Sequence, residues 1–288
     1  MPDPETGEQQ QETAELPGGE EKGQTFTEHL QDLRRSLTKA VIAVVIGFAA
    51  CYAFSEKLFR LLMDPLVRTL PDESTLIFTS LPEAFFTYLK ISLVAGIFLA
   101  SPYIFYQIWS FISPGLYSSE KKYIIPIAAF SAVFFVSGAL FGYFVVFPFG
   151  FEFFMGFTTE LIRPFPTLRE YLSFSIKLLF AFGLTFELPL FIFFLARMGL
   201  VTSTTLKKKR KYAITIAFII SAILTPPDLV TQTFMAGPII ILYEIGVWVA
   251  KIFGKREEPK TKDSSEEDGS TQDEEAEEDA KSTGKEKD

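Results

Sequence analysis

The 288-residue chain has one cysteine, Cys51, and one histidine, His29. A lone cysteine excludes an internal disulfide and a thiolate metal cluster, and a lone histidine excludes a His-rich metal site. Cys51 lies in an apolar run and reads as a small core residue. No Gly-x4-Gly-Lys-Ser/Thr loop occurs, so direct driving by ATP is not expected. Neither a carboxylate pair nor a Ser–Lys or Ser–His site suggests an intramembrane hydrolase. The chain is therefore read as a non-enzyme without cofactor. Internal repeats are also missing, which counts against inverted-repeat transporter architectures. The N-terminus is acidic and apolar sequence starts only after residue 36, unlike a cleavable signal peptide.

What the chain has in excess is hydrocarbon. AVILMFWYC residues make up 48% and phenylalanine alone supplies 32 residues, grouped in long runs. About 20 apolar residues span the bilayer core. The runs predict an all-α bundle with six spans: Ser36–Phe54, Ala84–Ile112, Tyr123–Phe149, Tyr171–Ala196, and two shorter ones, Tyr212–Leu224 and Phe234–Ala250. The fifth is too short for a full crossing and fits either local bilayer thinning or a hairpin with the sixth. Both options return the chain to the same side.

Charge divides the chain into three parts. Residues 1–28 carry eight acids and one base, and 255–288 carry fourteen acids and seven bases. The net charge of −8 therefore conceals a body of +6. Both tails lack the apolar content to offset chain entropy. The expected organisation is a disordered acidic tail at 1–25, a membrane domain at 26–254 and a disordered charged tail at 255–288. Arg34, Arg35, Lys39, Lys121, Lys122, Arg197, the run Lys207 to Lys211, Lys251, Lys255 and Arg256 flank one side of the spans. Only Lys57, Arg60, Arg68, Arg163 and Arg169 flank the other. The richer side is cytoplasmic, which places both termini inside. The Lys207 to Lys211 run reads as an orientation determinant and anionic-lipid contact rather than a nucleic-acid patch.

Several polar residues sit where solvation disfavours them. Glu187 is midway along the fourth span, where a charge costs about 3 kcal/mol on insertion scales. It must face a wet hollow or a polar partner. Pro189 removes a backbone donor and predicts a kink beside it. Lys90 and Lys177 lie near span ends and can snorkel outward. Glu244, nearer the cytoplasm, can pair with a base of a neighbouring span, which the sequence does not identify. In the loop FISPGLYSSEKK (111–122), Glu120 is the only acid on a basic face. It is either a receptor for a guanidinium, which binds carboxylates through two parallel hydrogen bonds, or a local partner of Lys121 or Lys122 or a helix cap. Phe26, Leu30, Leu33 and Leu37 recur at helical spacing, an amphipathic helix running into the first span with Arg34 and Arg35 beside it. In ILTPPDLVTQTF (223–234), Asp228 can cap the sixth helix. Thr225 and Gln232 are polar groups for a helix docking from the lipid side.

Six segments in order, HLQDLRR, PYIFYQIWSFISPGLYSSEKK, YFVVFPFGFEFF, YLSFSIKLLFAFGLTFELP, LKKKRKYA and ILTPPDLVTQTF, resemble the TatC family, the polytopic subunit of the Sec-independent twin-arginine protein translocase. The resemblance covers roughly residues 27–250. It implies a glove-like bundle with a concave face and short spans five and six, in the bacterial cytoplasmic (inner) membrane. It implies export of folded proteins, driven by the proton-motive force, whose signal peptides carry an Arg–Arg pair. By motif, Glu120, Phe111 and Arg34 would bind the signal peptide. Glu187, Thr225 and Gln232 would help dock TatA- and TatB-like single-span subunits. Pro65 and Asp228 match outer-loop positions, and homo-oligomers would form in the receptor complex. The competing reading is a proton-coupled small-molecule carrier using Glu187, with Lys90 or Lys177 as counter-charge.

Overall fold

The computed structural model describes residues 26–70, 76–112, 124–159, 165–225 and 228–254, with side chains from Leu30 onward. Both charged tails and Glu120 lie outside the described residues. Within them the regular structure is helical, apart from one isolated parallel bridge between Ile77 and Thr167. Among the described residues, five helical runs are long and apolar enough to cross a membrane: Leu30–Tyr52, Glu83–Ile112, Ile124–Met155, Leu168–Arg197 and Leu229–Phe253. The chain divides into two compact units at Leu184/Thr185.

The first unit starts with α1 (Phe26–Tyr52), in which the amphipathic segment and the first apolar run form one helix. Next comes α2 (Ser55–Val67), which the apolar runs did not predict. Then follow α3 (Glu83–Ile112), α4 (Ile124–Phe141), α5 (Phe147–Met155) and α6 (Leu168–Phe186). A five-residue π-turn, Gly142–Val146, joins α4 to α5. Pro148 stands two residues after it. It lacks a donor and crowds the carbonyl one turn back, and a π-turn is a standard relief of such crowding. Helical structure thus continues to Met155, beyond the expected end at Phe149.

α1 and α3 cross at backbone contact. A Cβ on Gly96 would lie 2.5 Å from the Phe48 nitrogen, and one on Gly47 would lie 2.6 Å from the Gly96 carbonyl oxygen. Small residues are what lets helices approach this closely in lipid. Behind the crossing, Phe98 stacks on Phe135 at 4.8 Å and on Phe180 at 5.5 Å. The buried Trp109 indole donates to Ser131 Oγ at 2.8 Å, linking α3 to α4.

Two prolines inside helices leave carbonyls that side chains then satisfy. Pro102 in α3 has no N–H for the Phe98 carbonyl, and the Ser101 hydroxyl donates to that oxygen at 2.7 Å. Pro65 in α2 likewise deprives the Leu61 carbonyl, which accepts from the Tyr143 hydroxyl at 2.5 Å. The neighbouring Leu62 carbonyl accepts from Tyr171 at 2.5 Å. These two phenols fasten α2 to the π-turn and to α6.

The second unit holds α7 (Leu188–Arg197), α8 (Ser203–Lys208), α9 (Arg210–Leu224) and α10 (Leu229–Phe253). α7 ends at Gly199, whose φ of 79° suits glycine. Leu200 N–H donates to Leu195 and Gly199 N–H to Ala196, the paired bonds of a Schellman cap. Ile192, Ala196, Leu206, Val247 and Ala250 form one core cluster, and Ala217, Ala236 and Ile239 another. α9 has 15 residues, about 22 Å at 1.5 Å per residue, and is short as expected. α10 is not. Its 25 residues reach about 37 Å, because the Asp228 cap starts the helix five residues before Phe234 and it continues three residues past Ala250.

Candidate functional site

At the end of the first unit where α1 begins, Arg34 lies on the exposed face of α1. Its carbonyl accepts from the Thr38 hydroxyl at 2.8 Å, and its guanidinium extends outward. Phe111 is half-buried in the last turn of α3. The loop that follows, with Glu120, is outside the described residues. The antiparallel run of α1 and α3, fixed by the Gly47–Gly96 crossing, puts Arg34 and Phe111 at the same end of the unit.

In the second unit, the helical run breaks where the intramembrane acid sits. α6 stops at Phe186, Glu187 is the N-cap position of α7, and Pro189 is buried in the first turn. Pro189 carries no N–H, so the break follows from its chemistry. The Glu187 carbonyl still accepts from Phe191 N–H at 2.8 Å, which restarts the helix. Glu187 is half-buried with its Oε1 atom shielded. Leu188 beside it packs on the Ala217–Ala236–Ile239 cluster of α9 and α10.

Thr225 and Gln232 are each engaged within the second unit. The buried Thr225 closes the end of α9 by donating its hydroxyl to the Ser221 carbonyl at 2.9 Å. Gln232 is half-buried, and its Nε2 donates to the Phe218 carbonyl at 3.1 Å, joining α10 to α9. Asp228 caps α10. It accepts from Thr231 N–H at 2.8 Å and also from the Thr231 hydroxyl. These bonds, the hydroxyl's first, hold its carboxyl below the usual carboxylate range. Tyr212, Ile216, Ile219 and Ile223 form an exposed apolar stripe on α9.

Glu244 finds its base. Arg210 at the start of α9 donates to its Oε2 at 2.6 Å, with both side chains nearly half exposed. Lys90 and Lys177 are exposed on their helices, as snorkelling requires.

One polar anchor was not singled out from the sequence. Glu83 is buried at the start of α3 and accepts from Thr79 N–H at 2.7 Å, Ser80 N–H at 3.2 Å and Arg169 N–H at 2.8 Å. It ties the segment before α3 to the start of α6. The spacing Ser80-x-x-Glu83 is half of a capping box, the signal that could have found it. Between α2, α3, α4 and α6 lies a cavity of about 480 Å³, lined by apolar residues such as Leu58, Val94, Phe98, Leu140 and Leu179. Among the described residues, no group of three or more His, Cys, Asp or Glu could hold a metal ion.

A family profile described as Sec-independent protein translocase protein (TatC) matches residues 28–238. A Sec-independent protein translocase protein TatC of Desulforapulum autotrophicum is 52% identical over 249 residues, which cover 86% of this chain and 90% of that one. Its counterpart in Magnetococcus marinus is 46% identical over 226 residues, covering 78% and 83%. A crystal structure described as the twin arginine translocase receptor TatC superposes with a TM-score of 0.70 at 42% identity, covering 78% of this chain and 99% of that one.

Proposed function

Because this chain belongs to the TatC family of Sec-independent protein translocase proteins, we propose that it is the receptor subunit that reads paired arginines at its inner face. It is a membrane protein with several apolar spans and a transport component rather than an enzyme. The family assigns it to moving proteins, which sets the small-molecule carrier aside. In the proposed arrangement the membrane is the bacterial cytoplasmic membrane and both termini are cytoplasmic, from the Lys and Arg asymmetry.

Glu120 receives one guanidinium of the signal peptide through paired charge-assisted hydrogen bonds. Phe111 packs against the peptide beside it, and Arg34 supplies the facing edge. The apolar stretch of the signal lies along the spans, with the cavity of about 480 Å³ as hydrocarbon-like surface for it. TatA- and TatB-like single-span subunits dock on the second unit, with the stripe Tyr212, Ile216, Ile219 and Ile223 as apolar surface and Glu187, Thr225 and Gln232 as polar residues that help to seat them. Several copies assemble in the receptor complex, and the proton-motive force drives export.

The observation that carries this reading is the 42% identity across nearly the whole length of a chain described as a twin arginine translocase receptor. The test is binding of a labelled Arg–Arg signal peptide to the purified protein in detergent. Glu120→Gln is expected to weaken binding at least tenfold, and a Lys–Lys peptide to bind the original protein as weakly. Equal binding of both peptides by both proteins would refute it.

A further inference from the structure

α1 turns almost all of its apolar surface outward: only 6% of its most apolar stretch is buried, against 33% or more for each of the other four runs. Where α1 meets α3, the Gly47–Gly96 crossing brings the backbones together. Beside that contact runs a furrow of about 440 Å³. Ala43, Gly47 and Ala100 form its floor, and Ile42, Ile46 and Leu99 line it further. At the end nearer the N-terminus of α1, the lining changes to Lys39 and Tyr103. Both are exposed, and exposed Arg35 lies one turn before Lys39 on the same side of α1.

An apolar slot offers water too few polar partners to order it. Hydrocarbon suits it. The mouth asks for something else, an anion on Lys39 and an amphipathic neighbour for the Tyr103 ring. One molecule carries both parts. We infer that an anionic phospholipid, from the leaflet on the N-terminal side of α1, seats an acyl chain in the α1–α3 furrow with its phosphate on Lys39 and Arg35. A zwitterionic lipid fills the slot equally well but gains little from the mouth. Each basic residue near an anionic surface favours the anionic lipid about fivefold. The site does not depend on the signal-peptide reading and uses none of its residues.

Two measurements on the full chain test it. Native mass spectrometry with phosphatidylglycerol and phosphatidylcholine is expected to show preferential phosphatidylglycerol adducts. Lys39→Gln lowers them about fivefold, while Lys39→Arg retains them and phosphatidylcholine adducts stay unchanged. In nanodiscs, Ile46→Trp is quenched by bromine-chain phosphatidylglycerol more than Val133→Trp, a lipid-facing control on α4 that is 61% exposed. The emission of Trp109 and Trp248 is subtracted using the unsubstituted protein. Adducts indifferent to both headgroup and Lys39→Gln would overturn the inference, as would equal quenching at the two positions. So would a disulfide-linked dimer of the Cys51→Ala, Ala43→Cys protein, which means a second copy fills the furrow.

Discussion

Removing the Tyr143 hydroxyl tests how this fold repairs its own helix breakers. Pro65 lacks the N–H that would reach the Leu61 carbonyl, and the Tyr143 hydroxyl reaches it at 2.5 Å. Leu61 and Tyr143 both line the apolar cavity, at an open edge of it where Leu61 is 59% exposed. Tyr143→Phe therefore removes one exposed hydrogen bond, costing about 1 kcal/mol. For a chain of this size that lowers Tm by about 2–4 °C. Pro65→Ala returns an N–H to position 65, which can bond the Leu61 carbonyl within α2. In that background Tyr143→Phe costs about 0.5 kcal/mol or less, a coupling of about 0.5 kcal/mol between the sites. Tyr171→Phe is the control. Its acceptor, Leu62, has a helical donor in Leu66, so its cost is the same with or without Pro65. Thermal unfolding of the four Tyr143 and Pro65 combinations in one detergent gives the cycle. An undiminished cost of Tyr143→Phe in the Pro65→Ala protein would refute the reasoning.

Three further substitutions probe the crossing, an open helical glycine and the cap. Gly96→Ala places a methyl 2.5 Å from the Phe48 nitrogen and 2.8 Å from the Gly47 carbonyl carbon, both backbone atoms that cannot rotate away. It is expected to cost about 3 kcal/mol or more. Gly150→Ala, whose added Cβ meets nothing within 4 Å, should gain about 0.5–1 kcal/mol from helix propensity. Both are read as Tm shifts. Asp228 titrates below its ordinary value because Thr231 bonds its charged form, so its contribution is complete above about pH 4 and fades as pH falls through the folded value. The Tm advantage of the original protein over Asp228→Ala should shrink on acidification below that point, and an advantage independent of pH would contradict the assignment.

The long apolar runs were legible because a bilayer imposes length and hydropathy on whatever crosses it. The break at Glu187 and the Asp228 cap were legible for local reasons, a proline and a short acid beside a helix start. α2 was not. Its charges at Glu56, Lys57, Arg60 and Asp64 and its internal Pro65 hide an apolar face of Leu62, Met63 and Leu66 that only the neighbouring helices reveal. The ties of Tyr143 and Tyr171 to carbonyls of α2 are partnerships across 82 and 109 residues, and no spacing rule predicts them. Arg210 as the partner of Glu244 belongs to the same kind, 34 residues away across two helices. The length of α10 was underread because counting began at Phe234. The polar residues Thr231 to Thr233 look like a loop but extend the helix once Asp228 caps it.

The central claim is that the inner rim selects paired arginines through Glu120. Its most direct measurement is export of a folded reporter across membrane vesicles that carry this chain as their only TatC-type subunit, together with single-span partners. The account predicts transport with an Arg–Arg signal, loss with Lys–Lys, and loss with Glu120→Ala even though the variant protein is present at normal abundance. Unchanged transport by Glu120→Ala would contradict it.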